Sequence, residues 1–275
     1  MVLKDIIKKI KEKKQLSYLD EELVRNQIDR ILEKNKKIRD RIDTAKEFKE
    51  IEKSKELKQI VKEARNELNR VYGVFQTKEQ KELSEKFEKL KQEKTEEKHK
   101  EILSAHLSSK ERLNLYPVFY EKIFEITGKP NSILDIACGL NPFSFRFMNL
   151  EGVKYYAIDF NSFETKLVER YFKMMNLDGE AITQDITKDQ RFPKAELCLA
   201  FKIFDLIEPK ITEKIIDNLK CNYLAASFSK TTVKQQKMKQ IRRAGFQKML
   251  RRLNLNYKVL DFPNEIVYII RLSRL

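Results

Sequence analysis

Ile133-Leu134-Asp135-Ile136-Ala137-Cys138-Gly139-Leu140-Asn141-Pro142 is the stretch that decides the fold. Its first four residues, three apolar and one acidic, read as a short buried strand. Ala-Cys-Gly-Leu-Asn-Pro then reads as a tight turn into a helix. Asp135 falls at the strand's carboxyl end, where open α/β sheets bind their ligands. Gly139 has no Cβ, so backbone there can approach a ligand closely. Pro142 suits the first turn of the following helix, expected over 143–150.

Downstream, the strand-helix pattern repeats. Gly152 precedes a second strand, 155–159, whose last residue, Asp159, lies 20 residues after Gly139. An acid at that place and distance commonly bonds the ribose hydroxyls of an adenosine-containing cofactor. Residues 161–176 read as a helix with Phe163, Leu167, Val168 and Tyr171 inward. A third strand, 181–183, runs into Gln184-Asp185-Ile186. Leu197-Cys198-Leu199-Ala200-Phe201 is a fourth, continuous apolar strand, as central parallel strands are. A helix over 209–219, a fifth strand over 222–228 and a basic helix over 234–253 follow. Strands 257–262 and 266–272 are joined by Pro263-Asn264-Glu265. That connection is too short for a parallel crossover, so this pair must be antiparallel.

Upstream, residues 1–100 hold one glycine, Gly73, and no proline. Ile6, Ile7, Ile10, then Leu16, Leu19, Leu23, then Ile28, Ile31, Leu32, then Ile38 and Ile42 recur at helical spacing. Ser17, Asp20 and Glu21 mark a helix start. Gly73 among Val71, Tyr72, Val74 and Phe75 marks a break between helices. Residues 77–101 are nearly all Lys, Glu and Gln, with Leu83, Phe87, Leu90 and then Ile102 to bury. They read as one charged, largely solvated helix. A coiled coil would need a sustained heptad, which is absent. Ser108 or Ser109 is placed to cap an aromatic-rich helix whose inward stripe is Leu115, Phe119, Ile123 and Ile126. The organisation expected is a helical subdomain over 1–103 and an α/β domain over 104–275.

Charge sharpens that division. The chain carries a net +15, and 36% of its residues are charged, above the usual quarter. Residues 1–100 hold 29 basic and 22 acidic side chains, 101–200 hold 12 and 14, and 201–275 hold 16 and 6. The excess is therefore terminal, which favours a polyanionic partner, nucleic acid first. The alternative for the N-terminal excess is a Lys/Glu-rich solubilising surface. Between Asn218 and Leu260 there is no acid, while Lys220, Lys230, Lys234, Lys237, Lys239, Arg242, Arg243, Lys248, Arg251, Arg252 and Lys258 all fall there. Like charges at helical spacing repel, so phosphate contact explains that run better than a solvated face. The predicted RNA-binding residues are Lys230, Lys234, Lys237, Lys239, Arg242, Arg243, Arg251 and Arg252. Three cysteines and two histidines at wide spacing make no metal pattern. No apolar run approaches membrane-span length and there is no signal-peptide core, so a cytoplasmic protein with no membrane partner is expected, as a monomer.

The alternation with its terminal antiparallel hairpin resembles class I (Rossmann-like) S-adenosylmethionine-dependent methyltransferases, with a seven-stranded, mostly parallel sheet. A dinucleotide site would want G-x-G-x-x-G. The methionine part of S-adenosylmethionine carries no pyrophosphate, so a single glycine suffices. A closer resemblance rests on His106-x-Ser108-Ser109-x-x-Arg112-Leu113, on Leu134-Asp135-x-Ala137-Cys138-Gly139-Leu140-Asn141-Pro142, and on Phe201-Lys202-Ile203-Phe204-Asp205-Leu206-Ile207-Glu208. These are similar to the aminoglycoside-resistance 16S ribosomal RNA (guanine-N7) methyltransferases over about 104–272. The resemblance implies S-adenosyl-L-methionine as cofactor, with Arg112 on its carboxylate and Asp135, Ala137 and Gly139 at its methionine end, near His106. It further implies Asp159 on the ribose, Asp185 and Ile186 beside the adenine, and an N-terminal subdomain that docks on the ribosome. After the fifth strand the family has Ser-Phe-Pro-x-Lys-Ser-Leu-Gly-Gly, whereas this chain has Ser227-Phe228-Ser229-Lys230-Thr231-Thr232-Val233-Lys234, a departure on the substrate side.

Guanine N7 has an in-plane lone pair and no proton, so positioning without a general base supplies the chemistry. Cys198 and Cys221 sit in apolar strands and read as core rather than nucleophiles. Lys202, Ser227 and Lys230 are the positioning candidates, Lys202 being equally readable as a surface lysine. The expected function is methylation of small-subunit ribosomal RNA, with the base flipped into the pocket. The alternatives are another structured RNA, a ribosomal protein, or a non-catalytic assembly factor that binds S-adenosylmethionine.

Overall fold

The computed structural model describes residues 2–13, 16, 17, 19, 21–68, 83–230 and 243–273. The chain divides into two compact units between Gln76 and Thr77.

The first unit contains α1 (Val2–Lys11), α2 (Glu21–Lys34), α3 (Lys36–Thr44), a 3₁₀ turn (Phe48–Glu50) and α4 (Lys55–Leu68). The apolar stripes read from the sequence are its core: Ile6, Ile10, Leu16, Val24, Ile28 and Ile60 are essentially inaccessible. Each such side chain contributes about 1.5–3 kcal/mol of burial. Glu21 and Glu22 occupy the first turn of α2, where they meet the positive end of its dipole. Arg65 of α4 donates from Nη2 to the Lys9 carbonyl at 2.5 Å and from Nε to the Ile10 carbonyl at 3.3 Å. It thereby satisfies the Lys9 carbonyl that the end of α1 leaves open and joins the Lys13 N–H on the Ile10 carbonyl.

The second unit begins earlier than charge alone suggests. Leu83, Phe87, Leu90, Ile102 and Leu103 belong to the same core cluster as Phe119, Tyr155 and Leu167, so 83–103 belong with the α/β unit. The single charged helix expected there is two, α5 (Leu83–Gln92) and α6 (Glu96–Leu103). A continuous helix would place Ile102 roughly 120° around the axis from Leu90. The break, capped by Thr95 accepting from the Lys98 N–H, lets both residues face inward. A short α7 (Leu107–Lys110) and α8 (Tyr116–Thr127) follow. Ser108 and Ser109 lie inside α7 rather than capping α8, whose first turn contains Pro117 instead.

The sheet contains β1 (Ser132–Ile136), β2 (Lys154–Asp159), β3 (Gly179–Thr183), β4 (Ala195–Phe201), β5 (Cys221–Ser229), β6 (Tyr257–Asp261) and β7 (Glu265–Arg271) in the order β3-β2-β1-β4-β5-β7-β6. Strands β1 to β5 run parallel, and β7 is antiparallel to both β5 and β6. The strand order reverses between β1 and β4, the switch point at which such sheets bind ligands. The expected α-helix after Pro142 is a 3₁₀ helix (Asn141–Met148). α9 (Ser162–Met175) and α10 (Pro209–Asn218) lie where expected, except that Phe163 is 42% exposed rather than inward. The basic helix is α11 (Ala244–Arg252); Lys234, Lys237, Lys239 and Arg242 lie outside the described residues. Among the described residues no helix is long and apolar enough to cross a membrane.

Candidate cofactor and substrate site

The turn after β1 is built by hydrogen bonds to its neighbours. Cys138 N–H donates to the Ile158 carbonyl at 3.0 Å, and Asn141 N–H to the Cys138 carbonyl at 2.9 Å. Asp135, 1% exposed, accepts at 2.9 Å from Asn141 Nδ2 and at 2.8 Å from the Tyr155 hydroxyl. Burial pushes its carboxyl up to about 7, against the lowering effect of those two bonds. Ala137 and Gly139 have φ of 52° and 48°, and Lys202 at the end of β4 has φ of 58°. Left-handed backbone at non-glycine residues is costly and gathers at functional edges. Ala137 and Lys202 place it at the carboxyl ends of the two central strands.

Asp159 closes the other side of the turn. Its Oδ2 accepts from Gly139 N–H at 2.9 Å and its Oδ1 from Asn161 N–H at 3.0 Å. Burial and the Glu164 carboxylate push it up to about 6, while those two N–H groups oppose the shift. Asn161 caps α9 by accepting from the N–H groups of Phe163 and Glu164. His106 stands over the turn, its Nε2 3.0 Å from Glu164 Oε1. Burial lowers the imidazole's pKa, but the neighbouring carboxylates of Glu164 and Asp159 raise it by more. Asp185 accepts from the Thr187 N–H and hydroxyl after β3, and Ile186 is buried with Ile158 and Leu134.

On the far side of the switch point lies a buried charged group. Arg112, 1% exposed, donates from Nε at 2.5 Å and Nη2 at 2.8 Å to the two oxygens of Glu265, which is 0% exposed. Nη2 also donates to Ser227 Oγ at 3.2 Å. Lys202 Nζ pairs with Glu111, and its backbone N–H donates to the Ser227 carbonyl at 3.0 Å. Lys230 Nζ donates to the Phe262 carbonyl at 2.5 Å and pairs with Asp261. The equal choice left for Lys202 is therefore settled in part: it is 5% exposed, not a surface lysine.

The basic run is less free than its composition suggests. Arg243 makes a bidentate pair with Asp205, at 2.9 and 2.7 Å, and donates to the Ser229 carbonyl. Arg252 pairs with Glu213. The absence of acids inside the segment is thus compensated by acids the fold brings from α10 and its preceding loop. Lys248, Arg251 and Arg252 are exposed on one face of α11, opposite buried Met249 and Leu250.

Sequence reasoning singled out Arg112, Asp135, Gly139, Asp159 and Lys202, and the structure gathers them at one sheet edge. It missed Glu164, Asn141, Tyr155, Glu111 and Glu265. Glu265 carried a signal: it is the lone acid after Asp261, directly before the apolar run Ile266–Ile270. Among the described residues no cluster of His, Cys, Asp or Glu suits a metal. The donor set does fit S-adenosylmethionine. A buried carboxylate has about four acceptor positions, and Asp159 spends two on backbone N–H groups, leaving two for vicinal ribose hydroxyls.

A family model described as ribosomal RNA methyltransferase (FmrO) matches residues 42–269. A 16S rRNA (guanine(1405)-N(7))-methyltransferase of Proteus mirabilis is 37% identical over 112 residues, 39% of this chain and 40% of that protein. Its counterpart in Frankia casuarinae is 25% identical over 176 residues, 62% of each chain. The matched stretches thus span two-fifths to three-fifths of these relatives. The structure of the 16S rRNA methyltransferase RmtF in complex with S-adenosyl-L-homocysteine superposes with a TM-score of 0.74, at 19% identity, covering 99% of this chain and 98% of that one. This likeness shows a shared fold, and with the family match over most of the chain it places the protein: it belongs to the ribosomal RNA methyltransferase (FmrO) family.

Proposed function

We propose that this chain transfers a methyl group from S-adenosylmethionine to N7 of a guanine in small-subunit ribosomal RNA. The observation that carries the reading is the Gly139–Asp159 contact, which sets a buried carboxylate with unspent acceptors at the carboxyl end of β2, beside the switch point of the sheet. When bound, S-adenosylmethionine supplies a methyl group activated by a sulfonium. Asp159 holds the ribose, Asp185 and Ile186 border the adenine, and Asp135, Ala137, Gly139 and His106 shape the methionine end. Lys202 and Ser227, at the ends of β4 and β5, orient the incoming base. No proton has to leave N7, so a lysine engaged by Glu111 and an arginine engaged by Glu265 suit the chemistry as positioning groups. The exposed cations of α11 meet phosphates, which position the RNA without specifying sequence. The first unit docks on the ribosome, and the chain works as a cytoplasmic monomer.

Tritiated S-adenosylmethionine with assembled small subunits, naked 16S RNA and total ribosomal protein tests this. The expected label is in RNA, at a position that yields a reverse-transcription stop after borohydride and aniline. Label in protein alone removes the RNA reading. Cofactor binding without any transfer would make the chain an assembly factor.

A further inference from the structure

Arg112 and Glu265 form the most deeply buried ion pair described in the molecule, with 1% and 0% exposure. The pairing is a two-pronged fork from Nε and Nη2, the geometry that fixes a guanidinium's orientation as well as its charge. Phe201 lies under the same guanidinium at 4.5 Å from the ring centroid and Phe119 at 5.3 Å, so its plane is held as well as its edge. Asn264, next to Glu265, donates to the Glu111 carbonyl. The turn between β6 and β7 thus grips the chain on both sides of the Glu111–Arg112 peptide.

The pair leaves donors without acceptors. Arg112 Nη1 makes no hydrogen bond to any described residue; Nε and Nη2 carry all of its bonds. The Tyr116 hydroxyl lies buried beside Ser109 and Arg112 but makes a hydrogen bond of good geometry to neither. Buried polar groups are nearly always satisfied in folded proteins, so the unpartnered Tyr116 hydroxyl beside an unspent guanidinium edge marks a place short of an acceptor. Arg112 and Glu265 already cancel each other's charge. What is missing is an acceptor for a fixed edge, and a carboxylate supplies one.

We propose that Glu265 is a positioning residue for the cofactor: it fixes the Arg112 guanidinium so that its Nη1 edge meets the carboxylate of the methionine moiety. This rests on the reading of the site as an S-adenosylmethionine site. On this account the fork to Glu265 persists when the cofactor is bound, and Glu265 does not compete with the ligand for Arg112.

The test compares two ligands by calorimetry on the full chain. S-adenosylhomocysteine carries the amino-acid carboxylate, while 5′-methylthioadenosine has the same nucleoside and thioether without it. Glu265→Gln should weaken S-adenosylhomocysteine about tenfold, the loss of one charge-assisted contact, and leave methylthioadenosine within about twofold. Arg112→Lys should show the same selective loss, and the double variant little more than either single one. Equal weakening of both ligands by Glu265→Gln assigns the residue a merely structural role and overturns the proposal. Tighter S-adenosylhomocysteine binding overturns it by showing competition. Wild-type chain that binds neither ligand refutes the cofactor reading itself, a result distinct from either of those. Should Glu265→Gln not fold, arginine side-chain NMR of the wild type decides. The Arg112 Nε–H signal should keep its position and exchange protection when S-adenosylhomocysteine is added; its loss would show that the fork opens and that Glu265 does not hold the guanidinium for the ligand.

Discussion

The imidazole of His106 lies so close to Gly139 that a Cβ at position 139 would stand 2.8 Å from Nδ1 and 2.9 Å from Cε1. The glycine also has φ of 48°, where a side chain costs about 1–2 kcal/mol. Gly139→Ala therefore meets two penalties, one in its own backbone and one from a ring tethered to Glu164. The variant should melt several degrees lower and bind S-adenosylhomocysteine at least about tenfold more weakly, equivalent to about 1.4 kcal/mol. Wild-type affinity in Gly139→Ala would mean that ligand does not depend on this turn.

Asp159 gives the site a pH dependence with a definite sign. Burial and Glu164 hold it at about 6, so it gains a proton as the solution falls through that value. A protonated carboxyl loses acceptor capacity for ribose hydroxyls. Affinity for S-adenosylhomocysteine should be flat above about pH 7 and should decline below about pH 6. Asp159→Asn should bind about tenfold or more weakly, with that decline removed. An unaltered acid limb in the variant would assign the titration to another group.

Asp135 also acts on stability. Its folded value of about 7 lies above the ordinary 3.8, so the native chain keeps a proton that the unfolded chain has released. The stability linked to that proton is present at acid pH and is lost as pH rises from about 4 to about 7. His106, raised above its ordinary 6.5, contributes with the same sign through its own titration. Melting temperatures taken from about pH 5 to about pH 8 should fall in the wild type and fall less in Asp135→Asn. A variant with the full wild-type slope would clear Asp135 of the effect.

The basic residues divide into two kinds with different readouts. Arg243→Ala breaks a partly buried bidentate pair with Asp205 and should cost about 1 kcal/mol of stability, with the salt dependence of RNA binding unchanged. Lys248→Glu with Arg251→Glu touches exposed cations on α11. It should weaken subunit binding and flatten the plot of log affinity against log salt by about one unit per lost phosphate contact. An unchanged slope in the double variant would return α11 to the role of a solvated face.

The contrast shows what the sequence can and cannot carry. Strands β1, β2, β4 and β5 are legible because buried parallel strands are short continuous apolar runs set off by glycine and polar turns. Asp159 is legible because its spacing from Gly139 is a property of one strand-helix-strand unit. The partner of Arg243 is not legible because charge read along the chain counts only neighbours in sequence, and Asp205 is 38 residues away. Phe163 misleads because helical periodicity alone does not say where the first turn of a helix clears the sheet. Residues 83–103 mislead in the same way: their Lys and Glu dominate the composition, yet Leu83, Phe87 and Leu90 tie them to the second unit.

Arg112 and Glu265 are separated by 153 positions, and that distance has a consequence in time. A ribosome adding roughly 5–20 residues per second needs on the order of 10–30 s to travel from one to the other. Throughout that interval the guanidinium lacks the carboxylate it forks onto, and burying such a charge without its partner costs about 3–5 kcal/mol. The segment around Arg112 therefore gains its ion pair only once β7 has been made. A chain that stops before Glu265 would lack both the carboxylate that partners Arg112 and the strand that joins β5 to β6.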